Sequence, residues 1–270
     1  RKESEIAFGD GTMYIEHFVV NPRHIEFQIL ADSFGNVIHL GERDCSIQRN
    51  HQKMIEESPS AAVSSELREK MGHAAVTAAK AAGYVNAGTI EFLLEPDGKF
   101  WFMEMNTRIQ VEHPVTEWVT GIDLVKEQLK IASGMPLEIA QEDVRIQGHA
   151  IECRINAENP QKNFRPSPGT IQGAHFPGGN GIRVDTCVYN GCKIPPYYDS
   201  MLAKLIVHAG NRKEAIAKMQ SALGEVIIDG IDTNIDYQYE ILKDEDYQSG
   251  NFDTGFLASH IIAGVKINEN

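Results

Sequence analysis

Two β-rich runs, AGTIEFLLE (87–95) and KFWFMEMN (99–106), are separated only by Pro96-Asp97-Gly98. Proline and glycine so placed favour a tight reversal, so the runs read as an antiparallel hairpin. If residues 95 and 100 pair, Glu91 faces Glu104 directly, on the side that also holds Asn106. Two carboxylates opposed at ~5 Å repel unless something positive stands between them. A hard cation with oxygen ligands meets that demand, and Mg²⁺ typically takes one or two carboxylates plus substrate phosphates. The plainer alternative is that one glutamate faces solvent and the two never meet.

The chain continues as MEMNTRIQVEHP (103–114), with Glu104, Asn106, Arg108, Gln110 and Glu112 at every second position. In extended chain these share one side. Asn106 is expected to end the strand, leaving a loop at its tip, where sites collect. Arg108 offers a planar fork for a carboxylate-like anion, and Glu112 can accept a proton. The alternative is a surface ion pair between them, which contributes little.

A second polar stretch, ERDCSIQRNHQK (42–53), carries His51 and Lys53, which can hold phosphate or a small anion. A run so poor in apolar residues otherwise reads as a solvated loop. His24 is a further candidate, although a lone histidine is more often structural. Arg154 alternates with Glu152 and Asn156 on a strand pattern, and a buried arginine must meet an anion. Its plain partner is Glu152 or an acid elsewhere.

The remaining pattern is α+β. Residues 14–42 read as β, with Ile25, Phe27 and Ile29 alternating with Glu26 and Gln28. A helix is expected over 65–82, with Ser65 as N-cap, Gly83 as stop and a small apolar face that packs close to a sheet. A short helix and a longer one fill 115–133, interrupted by Gly121 and closed by Gly134. A polar stretch at 137–147 marks a boundary, giving parts 1–146 and 147–270. A new strand starts at His149. Turns rich in Pro and Gly then separate short strands, and helices follow at 212–224, with Asn211 as N-cap, and at 234–244.

The formal net charge of −13 over 270 residues disfavours nucleic acid and anionic membrane as partners. No apolar run reaches the ~18–20 residues of a membrane span, and no leader pattern opens the chain. Four cysteines without a zinc spacing read as reduced thiols in a cytoplasm, with Cys187 and Cys192 the one conceivable pair. No phosphate-cradling GxxxxGK[ST] loop is present, and Gly178-Gly179-Asn180-Gly181 reads as a turn.

Six motifs together resemble the biotin carboxylases, the ATP-grasp component of biotin-dependent carboxylases such as acetyl-CoA carboxylase. They are NPRHIEFQ (21–28), ERDCSIQRNHQK (42–53), EMNTRIQVEHPVTE (104–117), HAIECRINAE (149–158), RPSPG (165–169) and PPYYDSM (195–201). The resemblance implies the second half of an ATP-grasp fold followed by a biotin carboxylase C-terminal domain of short strands and helices. It implies a reaction in which ATP, bicarbonate and biotin give carboxybiotin, ADP and phosphate. It also implies Glu91, Glu104 and Asn106 as ligands of Mg²⁺ or Mn²⁺. Lys53, Arg108, Gln110, Val111 and Glu112 resemble a bicarbonate pocket with Glu112 as general base. Arg154 resembles the group that stabilises the biotin enolate. Glu16, with His17 and Val19 behind it, resembles an adenine hinge, and Leu93 a residue packing on the base. His24, Gln48 and His51 resemble nucleotide contacts, and Asp199 a biotin-side position. Expected partners are a biotin carboxyl carrier protein or domain, a carboxyltransferase that chooses the acyl acceptor, and a second copy of the chain.

Two departures stand out. His17 occupies a position where lysine is usual, and the glycine-rich phosphate loop and N-terminal domain are not in the sequence. The chain, which starts at Arg1 in what resembles a helix end, is expected to be the C-terminal part of a longer protein, weak or inactive by itself. Another ATP-grasp ligase and a non-catalytic assembly module are the competing readings.

Overall fold

The computed structural model describes residues 1–266. In chain order its main elements are α1 (Lys2–Phe8), β1 (Arg23–Ala31), β2 (Val37–Arg49), β3 (Gln52–Ser58), α2 (Ser65–Ala81), β4 (Asn86–Leu94) and β5 (Phe100–Asn106). Then come α3 (His113–Thr120), α4 (Leu124–Ala132), β6 (His149–Asn156), β7 (Ile182–Thr186), β8 (Met201–Ala209), α5 (Arg212–Glu225), α6 (Ile235–Lys243), α7 (Glu245–Ser249) and α8 (Phe256–Ser259). The eight strands form one sheet in the order β7-β8-β6-β3-β2-β1-β4-β5. Every neighbouring pair is antiparallel.

Side-chain alternation divides this sheet into two different faces. On one, Ile25, Phe27 and Ile29 of β1 and Ile90 and Phe92 of β4 lie under Met71, Ala75 and Ala79 of α2. The same face carries Ile151, Cys153 and Ile155 of β6 against Ala215, Met219 and Leu223 of α5 and Tyr237 and Ile241 of α6. Each such large side chain fully buried contributes about 1.5–3 kcal/mol of transfer free energy.

The other face is apolar only at its margins. Val115 and Val119 of α3 pack on Ala150 and Ile206. Leu124 and Ile131 of α4 pack on Leu30, Leu40 and Ala87. Between those patches the face is charged. Glu26 opposes Arg43 on β2 and Glu91 on β4, Glu91 opposes Glu104 on β5, and Glu56 opposes Glu152.

The helices follow the sequence closely. The N-cap of α2 is Ser64, one residue before the expected Ser65, and its side chain accepts from Leu67 N. Gly83, Gly121 and Gly134 all hold positive φ at helix ends. Asn211 caps α5 by accepting from Glu214 N. All four cysteines, including Cys187 and Cys192, are free thiols. Among the described residues no helix is long and apolar enough to cross a membrane.

Two expectations are corrected and one alternative is excluded. Residues before Arg23 are not strand, because β1 starts where its pairing with Leu94 starts and both its edges are taken. Residues 42–53 are not a solvated loop but most of a buried hairpin, turned by Asn50 and His51, which both have positive φ. The polar composition misleads there because the buried acids have partners: Glu42 takes Arg68, and Asp44 takes Arg23. In the β4–β5 hairpin Leu94, not Glu95, opposes Phe100. A bulge before Glu104 then restores the expected Glu91–Glu104 opposition. β6 and β8, with eight and nine residues, extend the same sheet.

Gly148 leads into β6 at φ +68, and a Cβ there would stand 2.3 Å from the carbonyl oxygen of Ala209. Gly148→Ala is expected to cost ~2–3 kcal/mol, from overpacking against fixed backbone and a strained φ. At this chain length that lowers Tm by roughly 5–10 °C in a calorimetric scan. An unchanged Tm would contradict the β6–β8 register.

Candidate active site

Arg43 is wholly buried in the middle of the charged face. A guanidinium has five N–H donors, and all five find acceptors here. Nε donates to Glu26 Oε1 at 2.5 Å. Nη1 donates to Gln28 Oε1 at 2.7 Å and Thr116 Oγ1 at 3.0 Å. Nη2 donates to Thr89 Oγ1 at 3.2 Å and Gln110 Oε1 at 2.9 Å. With its oxygen so engaged, Gln110 must present its amide nitrogen the other way, where it donates to Glu91 Oε1 at 2.7 Å.

Lys53 is the hub of the acids. Its ammonium donates to Glu26 Oε2 at 2.5 Å, Glu112 Oε1 at 2.6 Å and Glu91 Oε1 at 3.2 Å. Burial works against that charge, but the three carboxylates outweigh it and raise the Lys53 pKa. Burial likewise pushes the Glu26 carboxyl up, yet Arg43 and Lys53 hold it at about 2. Glu91 is also held at about 2, because the hydrogen bond from His24 and the charge of Lys53 outweigh its burial.

Glu91 and Glu104 meet through an amide. Asn106 Nδ2 donates to Glu91 Oε1 at 2.9 Å and to Glu104 Oε1 at 2.8 Å. One point within hydrogen-bond reach of both carboxylates therefore exists, and Asn106 can turn its own oxygen towards it. Three oxygen donors from two strands fit a hard divalent cation. Glu91 is buried and Glu104 is exposed, so the group opens to solvent on one side.

On the other side of Lys53, Glu112 is closed between two cations. Its Oε1 takes Lys53, and its Oε2 takes Arg154 Nη2 at 2.9 Å. Arg154 does not choose Glu152, its neighbour on β6. It donates from Nε to Glu56 Oε1 at 2.6 Å. Lys204 on β8 donates to the Val111 carbonyl at 2.8 Å, which fixes the backbone just before Glu112. Lys53, Val111, Glu112 and Arg154 line a cavity of 560 Å³.

That cavity brings together Lys53, Arg108, Gln110, Val111, Glu112 and Arg154, with His51 and Asp199 at its rim. Its far wall comes from the RPSPG and PPYYDSM motifs. Arg108 is exposed, bonds only its neighbour Ile109 O at 3.2 Å, and makes no ion pair with Glu112 among the described residues. His24 is buried against Glu91 at 2.7 Å, and Gln48 opposes Lys53 in the hairpin. Leu93 sits half-buried between His24 and Trp101. Outside this group, Glu16 is exposed, His17 tilts over Trp101 with ring centroids 5.1 Å apart, and Val19 is buried.

Sequence reasoning missed Glu26, Arg43, Glu56 and Lys204. Glu26 and Gln28 carried the one available signal, since polar residues on a central strand covered on both faces require buried partners. Nothing in the sequence singled out Arg43 within its polar run.

Residues 1–140 match the Carbamoyl-phosphate synthase L chain, ATP binding domain. Residues 152–259 match the Biotin carboxylase C-terminal domain. Biotin carboxylase 1 of Bacillus subtilis (strain 168) is 58% identical over 265 residues, covering 98% of this chain and 59% of that relative. The biotin carboxylase domain of a thermophilic 2-oxoglutarate carboxylase, solved bound to bicarbonate, superposes with a TM-score of 0.94 at 52% identity. That match covers 96% of this chain and 58% of the other. The corresponding domain dimer from Hydrogenobacter thermophilus, in complex with MgADP, ADP and bicarbonate, gives a TM-score of 0.91 at 52% identity. It covers 96% of this chain and 57% of that one.

Sheet and acid-lined face together define an ATP-grasp protein. Within that class, the chain belongs to the biotin carboxylase family. It spans 59% of the length of the Bacillus subtilis relative.

The two carboxyls held at about 2 set an acid limit on this face. Because both lie below the ordinary 4.5, their contribution to stability is complete above about pH 4.5 and is lost as pH falls towards about 2. Tm measured against pH is expected to fall through that window, and Glu91→Gln to flatten the fall. An equal slope in the variant would contradict the ion-paired face.

Proposed function

We propose that this chain carries the metal- and bicarbonate-handling part of an ATP-dependent biotin carboxylase. The single observation behind this reading is Glu112, held with one oxygen on Lys53 and the other on Arg154 at the wall of a cavity that Lys53, Arg108 and Arg154 line with positive charge. A general base that must meet a bicarbonate and then hand its product to biotin requires such neighbours. Lys53 and Arg108 attract the bicarbonate, and Gln110 and the Val111 backbone orient it. Glu112 takes the bicarbonate proton. The resulting dianion attacks the terminal phosphate of ATP, giving carboxyphosphate and ADP. Carboxyphosphate then splits into carbon dioxide and phosphate, the phosphate takes the ring N–H proton of biotin, and Arg154 stabilises the resulting enolate while the ring nitrogen bonds the carbon dioxide.

Glu91, Glu104 and Asn106 are the groups that would hold Mg²⁺ or Mn²⁺. When bound, that ion neutralises charge on the nucleotide phosphates. The amide of Asn106, already between the two acids, supports this assignment. The nucleotide itself would meet His24, Gln48, His51 and Leu93, with Glu16, His17 and Val19 at the adenine. Asp199, at the cavity rim, lies on the biotin side. The two matched families meet between residues 140 and 152, which supports a division of the chain near residue 146.

The reading carries partners with it. Biotin arrives on a carrier protein or domain, and a carboxyltransferase receives the carboxyl group. The dimer named for the Hydrogenobacter thermophilus domain supports a homodimer here. A cytoplasmic setting, in which the thiols stay reduced, belongs to the same reading.

Glu112→Gln in the full-length protein separates this chemistry from that of other ATP-grasp ligases. Bicarbonate-dependent ATP hydrolysis with free biotin is expected to fall at least about 100-fold, because the base is lost. ATP affinity, read by calorimetry, is expected to stay within about twofold, since Glu112 is not assigned to the nucleotide. Retained turnover would exclude Glu112 as the base.

A further inference from the structure

Behind Arg154 lie two glutamates that neither the cation nor the bicarbonate uses. Glu56 on β3 and Glu152 on β6 stand directly opposite each other, both without exposed surface. Opposed side chains on antiparallel strands have Cβ atoms roughly 5 Å apart. Glu56 Oε1 takes Arg154 Nε at 2.6 Å and Nη2 at 2.5 Å. Glu56 Oε2 and both oxygens of Glu152 have no partner among the described residues. Were both groups ionised, like charges would face each other in a dry setting, with three acceptors left unpaired. One proton removes both difficulties. A neutral Glu152 gains an O–H donor, and the unpaired acceptor across the strands is Glu56 Oε2.

We propose that Glu56 and Glu152 share a single proton and that this carboxyl pair is the positioning device for Arg154. The proton resides mainly on Glu152, because Arg154 bonds Glu56 and not Glu152. The other charged groups that act on the pair are Lys53 on β3, Lys204 on β8 and Glu112 at the start of α3. Burial, and then the charge of Glu56, lift Glu152 well above the carboxylate range. Burial pushes Glu56 up as well, and the charge of Arg154 draws it back. A second proton would neutralise the anchor that Arg154 needs, and loss of the only proton would set the two acids against each other. The ionised Glu56 therefore fixes the guanidinium from behind while Glu112 holds it from the cavity side. The catalytic consequence rests on the role given to Arg154 in the proposed reaction.

Two measurements test this. In the chain labelled with ¹³C-carboxyl glutamate, one resonance is expected to stay at the protonated position from about pH 5 to about pH 7 and to vanish in Glu152→Gln. Absence of any protonated glutamate at neutral pH would overturn the shared proton, whatever the protein catalyses. In the full-length protein, Glu56→Gln is expected to lower kcat for biotin carboxylation about tenfold or more at an unchanged KM for ATP. Glu152→Gln, which keeps a neutral donor, is expected to retain at least about five times the kcat of Glu152→Leu. A role in packing alone predicts the reverse, since leucine suits a dry site, and equal kcat values would overturn the positioning role. If the parent protein shows the protonated resonance yet carboxylates no biotin, the functional reading fails and the shared proton stands.

Discussion

A guanidinium with no exposed surface organises the charged face. Burying Arg43 costs several kcal/mol of hydration, and only a complete set of acceptors makes the position tolerable. Those acceptors come from β1, β4, the loop after β5, and α3. One side chain on β2 thus ties the loop that carries Gln110 and Glu112 to the centre of the sheet. The direction of the Gln110 amide follows from that tie, and so does its bond to Glu91. Losing the guanidinium while keeping its partners would leave Glu26 buried with Lys53 as its remaining charge partner, which is why such networks fail as a unit.

The same face explains how one sheet can be both core and site. Antiparallel pairing puts Glu26, Glu91 and Glu104 in a row across three strands. Lys53 and Arg43 hold the buried end of the row, while its exposed end is bridged, among the described residues, by the neutral amide of Asn106. The acids are therefore pre-aligned before any cation arrives, and little reorganisation is left for binding. Lys204 and Arg154 reach the same loop from β8 and β6, so strands after residue 147 complete a site begun before it.

Much of this was legible in the sequence where local chemistry decides structure. The Pro96-Asp97-Gly98 turn fixed the hairpin, and glycines at 83, 121 and 134 marked helix ends through their positive φ. The opposition of Glu91 and Glu104 was also readable, although the register reaching it involves a bulge that no periodicity reveals. What stayed hidden depends on long-range pairing. Residues 42–53 look solvated because their composition records charge but not the partners that neutralise it. For Arg154 the sequence left Glu152 or an acid elsewhere open, and its partners lie 98 and 42 residues away. The same long range hid Glu26 and Arg43, whose meeting needs both β1 and β2 in place.

The account stands most directly on where two small ligands bind. A crystal of the chain soaked in Mn²⁺ and bicarbonate, read by anomalous scattering at the manganese edge, gives both positions at once. The predicted result is manganese between Glu91 and Glu104, with a planar anion on Lys53 and Arg108 in reach of Glu112. Manganese at Asp244, Asp246 and His260 instead, a cluster whose ligand atoms also lie within 4.8 Å of one another, with the Glu112 cavity free of anion, would contradict it.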